Sequence, residues 1–173
     1  MAYRIGTGFD VHRLAEGETL NLGGVVIPAP FGTVGHSDAD VLIHAICDAL
    51  LGALGMGDIG HHFPDSDMRW KDADSRQLLV YVMEWVRAKG YEVVNIDSTI
   101  ALQSPRIGPY IPAMRTKLAE TIGCDPSRVS VKATTTEGMG YEGRSEGVSA
   151  QAVVLLRISG DSLVDEDLTG FDA

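Results

Sequence analysis

Residues 41 to 54, VLIHAICDALLGAL, constrain this chain more than any other stretch. Before Gly52 every position except His44 and Asp48 is apolar, and with Asp40 these two recur at every fourth residue. On an α-helix that spacing stacks three side chains along one face. The pattern predicts a helix with Ser37 as its N-cap, Asp40 three residues on, and Gly55 or Gly57 at its end. A helix apolar on every side but one is buried, and its Asp-His-Asp stripe must meet partners, because unpaired buried polar groups are costly. His44 is then either a core histidine held by its two carboxylate neighbours or a ligand.

The rest of the chain must cover that helix. At 173 residues, 45% of them hydrophobic, the length suits one domain with a sizeable core. The 24 acids against 14 bases give a formal charge of −10, which argues against a nucleic-acid or anionic-membrane surface. A small polyanionic substrate fits only if a metal offsets the repulsion. Cys47 and Cys124 match neither a disulfide framework nor a Cys-type zinc site, so reduced thiols and a cytoplasmic setting are expected. The apolar run falls short of the ~20 residues of a membrane span. The opening MAYRIGTGFDV has neither a basic leader followed by an apolar run nor an Arg/Ser-rich transit pattern.

Tyr3 to Val11 reads as a strand in which Gly6 and Gly8 mark a close backbone approach or a bulge. Asp10 and His12, two apart, then face the same side. Leu20 to Ile27, split by Gly23-Gly24, is a hairpin signal, and Pro28 to His36 reads as a loop. Gly55 to Asp74 has no periodicity and reads as a long functional loop. Asp74 opens a second helix with apolar positions Leu78, Leu79, Val82, Met83 and Val86, closed by Lys89-Gly90. Val93 to Leu102 is strand-like, and Pro109 and Pro112 suit the start of a third helix ending at Gly123. Val129 to Thr136 and Val148 to Ile158 are strands joined by a glycine-rich segment. The expected fold is α+β, a single domain with a mixed β-sheet and helices packed on one face. It spans residues 1–158, and residues 159–173 form an acidic, disordered tail.

Asp10 and His12 from the strand, joined by His44 from the helix, would supply two imidazoles and a carboxylate with a fourth position open, the pattern of a catalytic zinc site. Their meeting does not follow from spacing alone. Asp58, Asp65 and Asp67 crowd a loop with His61 and His62 and could hold ribose hydroxyls or a second cation, although Asp is also a common turn former. Lys132 to Glu137 places three threonine hydroxyls and a carboxylate at a strand end, with Arg144 close behind. That set suits phosphate oxygens, and Glu137 suits a Mg²⁺, yet a threonine-rich edge strand would look the same. Gly138 to Gly143 matches GxGxxG but leads into a strand, so it is no dinucleotide fingerprint.

Three stretches, RIGTGFDVHRL, HSDADVLIHAICDALLGALGMGDIGHHFPDSD and VKATTTEGMGYEGRSEG, resemble the 2-C-methyl-D-erythritol 2,4-cyclodiphosphate synthase family of the non-mevalonate isoprenoid pathway. The resemblance runs in order from residue 4 to about 158. It implies a metal-dependent, CMP-releasing lyase acting on a small CDP-linked substrate. It also implies a homotrimer with interfacial active sites, in whose central cavity an isoprenoid diphosphate is a candidate occupant. By the same resemblance Asp10, His12 and His44 are Zn²⁺ ligands, and His36 and Thr135 are the catalytic residues that stabilise the transition state. His36 and Ser37 lie in a phosphate-contacting loop. Asp58 and Gly60 contact ribose and substrate, while Phe63, Asp65 and Asp67 line the methylerythritol pocket. Leu102, Pro105, Arg106 and Gly108 form the cytosine pocket. Thr134, Thr135 and Glu137 contact the diphosphate, Glu137 with Mg²⁺ or Mn²⁺, and Tyr141 and Arg144 fall on further substrate positions. Ser66, Leu102, Arg106 and Tyr141 stand where Thr, Ala, Lys and Phe are common, and the Leu102 and Arg106 changes leave the detailed shape of the cytosine pocket open.

Two other readings use the same residues. A metal-dependent phosphohydrolase would deliver water to a nucleotide diphosphate. A non-catalytic binding protein would close a structural zinc site with a fourth ligand, for which Asp40 and Asp48 are the candidates on the His44 face.

Overall fold

In the computed structural model, which describes residues 3–64, 66–71 and 73–160, strand β1 (Tyr3–Glu16) is the longest of the sheet. Asp65 and residues 161–173, the greater part of the expected tail, lie outside the described residues. On one side β1 pairs with β7 (Gly147–Ile158), and β7 with β5 (Tyr91–Ala101), both antiparallel. β5 then takes β6 (Val129–Thr134) in parallel, and β4 (Phe31–Val34) adds antiparallel to the far edge of β1. The result is a mixed sheet of order β4-β1-β7-β5-β6, with the hairpin β2 (Leu20–Leu22) and β3 (Val25–Ile27) separate from it.

The expected strands and helices are present, and the structure alters some of their bounds. β1 continues past Val11 to Glu16, and part of the segment read as a loop, Phe31–Val34, is the strand that pairs with that extension. Both pieces were hidden because an edge pairing of four residues, broken by Gly32, leaves little alternation to read. The long segment from Gly55 to Asp74 also contains helix α2 (Ile59–His62), capped by Asp58, and a 3-10 turn over Met68–Trp70, capped by Asp67.

The central helix α1 (Val41–Leu54) is buried at every position except Asp48 and Gly52, as its composition requires. Its N-cap is Asp40 rather than Ser37. The Asp40 carboxylate accepts from the N–H of Ile43 at 3.0 Å, of Gly23 at 2.9 Å and of Gly24 at 2.7 Å, so one side chain caps the helix and fastens the β2–β3 turn to it. Burial pushes Asp40 up to about 6, still low enough for the carboxylate form those three donors need at neutral pH. α1 rests directly on the sheet. A Cβ at Gly6 would meet the carbonyl oxygen of Ala49 at 1.9 Å, and one at Gly8 that of Ala45 at 2.0 Å, so the two glycines are a close backbone approach and not a bulge.

α3 (Ser75–Ala88) buries the five apolar residues its spacing marks out, and α4 (Ile111–Ile122) closes the same layer with Met114, Leu118, Ala119 and Ile122. All these side chains belong to one hydrophobic cluster. Among the described residues no helix covers the opposite face of the sheet, and there Ile5 is 72% and Phe9 59% exposed. No described helix is long and apolar enough to cross a membrane.

Candidate active site

Asp10 and His12 lie on the face of β1 that Gly6 and Gly8 present to α1, because alternate residues of a strand share a face. That close approach brings His44, one helical turn from the start of α1, over the strand. Asp10 Oδ2 is 3.0 Å from His12 Nε2 and 3.1 Å from His44 Nδ1, and the two imidazole nitrogens are 3.1 Å apart. The triad is the group of potential metal ligands found among the described residues.

The outer nitrogen of each ring is already committed. His12 Nδ1 donates to the carbonyl of Val34 at 3.1 Å, which leaves the lone pair on Nε2 pointing inward. His44 Nε2 lies 2.9 Å from Ser75 Oγ and 3.2 Å from Ser37 Oγ. Ser75 Oγ donates to Asp38, so it accepts from His44 and leaves the Nδ1 lone pair free. Two imidazole lone pairs and a carboxylate oxygen therefore converge with no proton between them except one that an imidazole must gain. Corners this far apart lie about 1.8 Å from their common centre, so an ion at the ~2.0–2.1 Å of zinc–nitrogen bonds fits against all three. Without an ion, proton uptake by His12 is favoured. Burial works to raise Asp10, but the hydrogen bonds from both histidines outweigh it and hold the carboxyl well below the usual carboxylate range. Burial likewise opposes protonation of His12, but its hydrogen bond to Asp10 prevails and raises it.

His44 is thus not held by its helical neighbours. Asp40 is occupied by backbone amides, and Asp48 accepts from the N–H of Ile59 at 2.8 Å. Neither belongs to the ligand group, and the stripe on α1 serves three separate jobs.

The triad opens into a cleft of about 370 Å³, also lined by Gly35, His36, Ser37, Ile59, Gly60, Phe63, Trp70 and Leu78. Four of the expected residues, His36, Ser37, Gly60 and Phe63, are therefore gathered around the triad. His36 Nε2 is buried without a hydrogen-bond partner. Asp58 and Asp67 cap the two short helical turns, Asp58 accepting from His61 N–H and Asp67 from Arg69. Trp70, Ile59 and Ser75 carry no signal of their own in the sequence, whereas Leu78 belongs to the apolar stripe of α3. Trp70 packs edge-on against Phe63, which stacks on Trp85.

A second cleft, of about 800 Å³, collects seven more of the expected residues: Leu102, Pro105, Arg106 and Gly108 with Thr134, Thr135 and Glu137. Thr135 Oγ1 donates to Glu137 at 2.9 Å, and Glu137 sits at a φ of 54° on the turn after β6. Arg144 is paired with Glu146 and does not line this cleft, nor does Tyr141, which packs against Gly147. The two clefts share no residue. Register explains why. Asp10, Ala150, Ile100 and Ala133 lie in one line across β1, β7, β5 and β6. Three strand spacings of ~4.8 Å put the triad and the threonine turn at opposite edges of the sheet, about 14 Å apart.

Comparison with known proteins shows which family the chain belongs to. The chain is 57% identical over 157 residues to a 2-C-methyl-D-erythritol 2,4-cyclodiphosphate synthase of Geobacillus kaustophilus, covering 91% of this chain and 99% of that one. Among solved structures, a 2C-methyl-D-erythritol-2,4-cyclodiphosphate synthase in a CDP-bound form superposes with a TM-score of 0.83 at 40% identity, covering 89% of this chain and all of that one. The bifunctional IspDF of Campylobacter jejuni superposes with a TM-score of 0.87 at 44% identity, over 91% of this chain and 42% of that longer one. The model of the YgbB family matches residues 3–157, and the chain belongs to that family.

Proposed function

We propose that this chain converts 4-diphosphocytidyl-2-C-methyl-D-erythritol 2-phosphate to 2-C-methyl-D-erythritol 2,4-cyclodiphosphate and CMP, as the names of its relatives imply. The observation that carries the reading is the triad of Asp10, His12 and His44, three inward-facing donors opening on a cleft. An oxygen of the 2-phosphate attacks the β-phosphorus. The bond from that phosphorus to the bridging oxygen breaks, and CMP leaves with the α-phosphate. The nucleophile is already an anion at neutral pH, so the protein needs no strong base. Its work is to fold the substrate on itself and to neutralise charge.

Zn²⁺ at the triad and Mg²⁺ or Mn²⁺ at Glu137 would supply the Lewis acidity and the countercharge that a chain of net charge −10 otherwise lacks. His36, whose buried Nε2 awaits a partner, and Thr135 face the phosphoryl group in this reading. Thr134 and Thr135 hold the diphosphate. Leu102, Pro105, Arg106 and Gly108 receive the cytosine, and Asp58, Gly60, Phe63, Asp65 and Asp67 receive ribose and polyol, with Ser37, Tyr141 and Arg144 as further contacts.

The substrate must reach both clefts, and within one chain they stand at opposite edges of the sheet. A homotrimer in which the β6 edge of one subunit meets the β1–β4 edge of the next supplies both halves at each interface. The exposed apolar face carrying Ile5 and Phe9 suits such an assembly, whose central cavity could take an isoprenoid diphosphate.

The test is product analysis with the CDP-linked substrate in ¹⁸O-water. A cyclic diphosphate free of solvent oxygen, released with CMP, is expected. A linear product carrying ¹⁸O would establish a hydrolase instead, and binding without turnover would establish a binding protein.

A further inference from the structure

The hydrogen bond that fixes His44 comes from a residue outside both the ligand set and the substrate contacts. Ser75 is the first residue of α3, fully buried, with its Oγ 2.9 Å from His44 Nε2. Its hydroxyl hydrogen is given to Asp38 Oδ1, and its backbone N–H donates to Asp38 Oδ2 at 3.2 Å. Asp38 is held in turn by Asn21 Nδ2, which donates to Oδ2 at 3.0 Å, and by its own N–H, which donates to the carbonyl of Ala73 at 3.1 Å. A carboxylate held by these three donors, on a backbone itself tied to Ala73, thus orients a serine, and the serine orients the imidazole.

We propose that Ser75, braced by Asp38, is the positioning residue of the metal centre. It holds His44 in the tautomer and ring orientation that offer Nδ1 to the ion. The inference rests on the metal reading above and adds to it a specific outer partner. Ser37 Oγ also approaches His44 Nε2, at 3.2 Å, but Ser37 lines the cleft, whereas Ser75 is fully buried behind the imidazole and at the shorter distance. Outer partners of this kind typically govern 10- to 100-fold in metal affinity. The same contacts clamp the start of α3, the helix that carries Leu78 of the cleft wall, onto Asp38.

The experiment is zinc affinity by chelator competition, with the visible spectrum of the Co²⁺-loaded protein, for the full-length chain and for Ser75→Ala, Asp38→Asn and His44→Ala. Folding of each variant is checked by thermal melting in chelator. Ser75→Ala is expected to bind zinc about 10- to 100-fold more weakly with an altered Co²⁺ spectrum. Asp38→Asn, which keeps an acceptor for the serine, should lie between it and the parent protein. Should Ser75→Ala melt too low to measure, Asp38→Asn decides. Parent-like affinity and spectrum in the folded variants would overturn the positioning role while leaving the metal site intact. A parent protein that binds no ion, or a His44→Ala protein that binds as the parent does, would overturn the metal reading itself and this inference with it.

Discussion

The carbonyl oxygen of Val34 lies 3.1 Å from Nδ1 of His12, joining the edge strand β4 to a residue of the triad. The contact fixes which nitrogen of His12 carries its proton, so the other is left to coordinate an ion or to take up a second proton. His12 is raised above its ordinary 6.5 in the ion-free protein. A raised histidine contributes stability fully below its unfolded value and loses it as pH rises through the folded one. The chelated protein should therefore melt at progressively lower temperature as pH is raised from about 6.5. Zinc affinity should rise over the same interval, because the ion displaces that proton. Melting curves with and without zinc across this range check both slopes, and parallel curves would contradict the assignment.

Removing the ion should abolish CMP release and leave the fold in place, since the core is built without it. Adding zinc back at about 100 times its dissociation constant should stabilise the protein by about 2.7 kcal/mol. Chelation followed by calorimetry and activity measurement tests both halves of this expectation.

Asp40→Ala should be among the most damaging substitutions outside the clefts. It strips a helix cap and leaves the amides of Gly23, Gly24 and Ile43 without their acceptor. The loss should be about 2–5 kcal/mol by chemical denaturation. A loss below about 1 kcal/mol would mean that water reaches those amides.

His44→Ala and Glu137→Ala should each be inactive alone, for lack of opposite halves of the site. If active sites form between subunits, exchange of subunits in a mixture of the two variants restores activity to about a quarter of the parent's, because one interface in four pairs two intact halves. No recovery after confirmed exchange would place a whole site within one subunit.

Much of this was legible in the sequence. The buried helix, the paired faces of Asp10 and His12 and the apolar stripe of α3 follow from periodicity, and the motifs carried the ligand triad by resemblance. Periodicity was silent where the outcome depends on what a side chain meets. Nothing in the Asp40, His44 and Asp48 spacing says that one caps a turn, one faces a strand and one holds Ile59. Ser75 looks like an ordinary first-turn serine after the Asp74 cap, and only tertiary packing puts its hydroxyl behind His44. The strand Phe31–Val34 pairs with the part of β1 beyond Val11, where the sequence carries no strand signal.

The direct seating of α1 on β1 through Gly6 and Gly8 has a consequence for anyone reshaping this centre. Where a helix rests on a sheet through interleaved side chains, swapping those side chains can change its height by fractions of an ångström. Here backbone lies against backbone, so there is no adjustable spacer, and Gly8→Ala should cost more than about 3 kcal/mol, readable as a fall in melting temperature. Selectivity for a larger or smaller ion must then be sought by lengthening or shortening the donor arms at positions 10, 12 and 44, because the frame that carries them has a single setting.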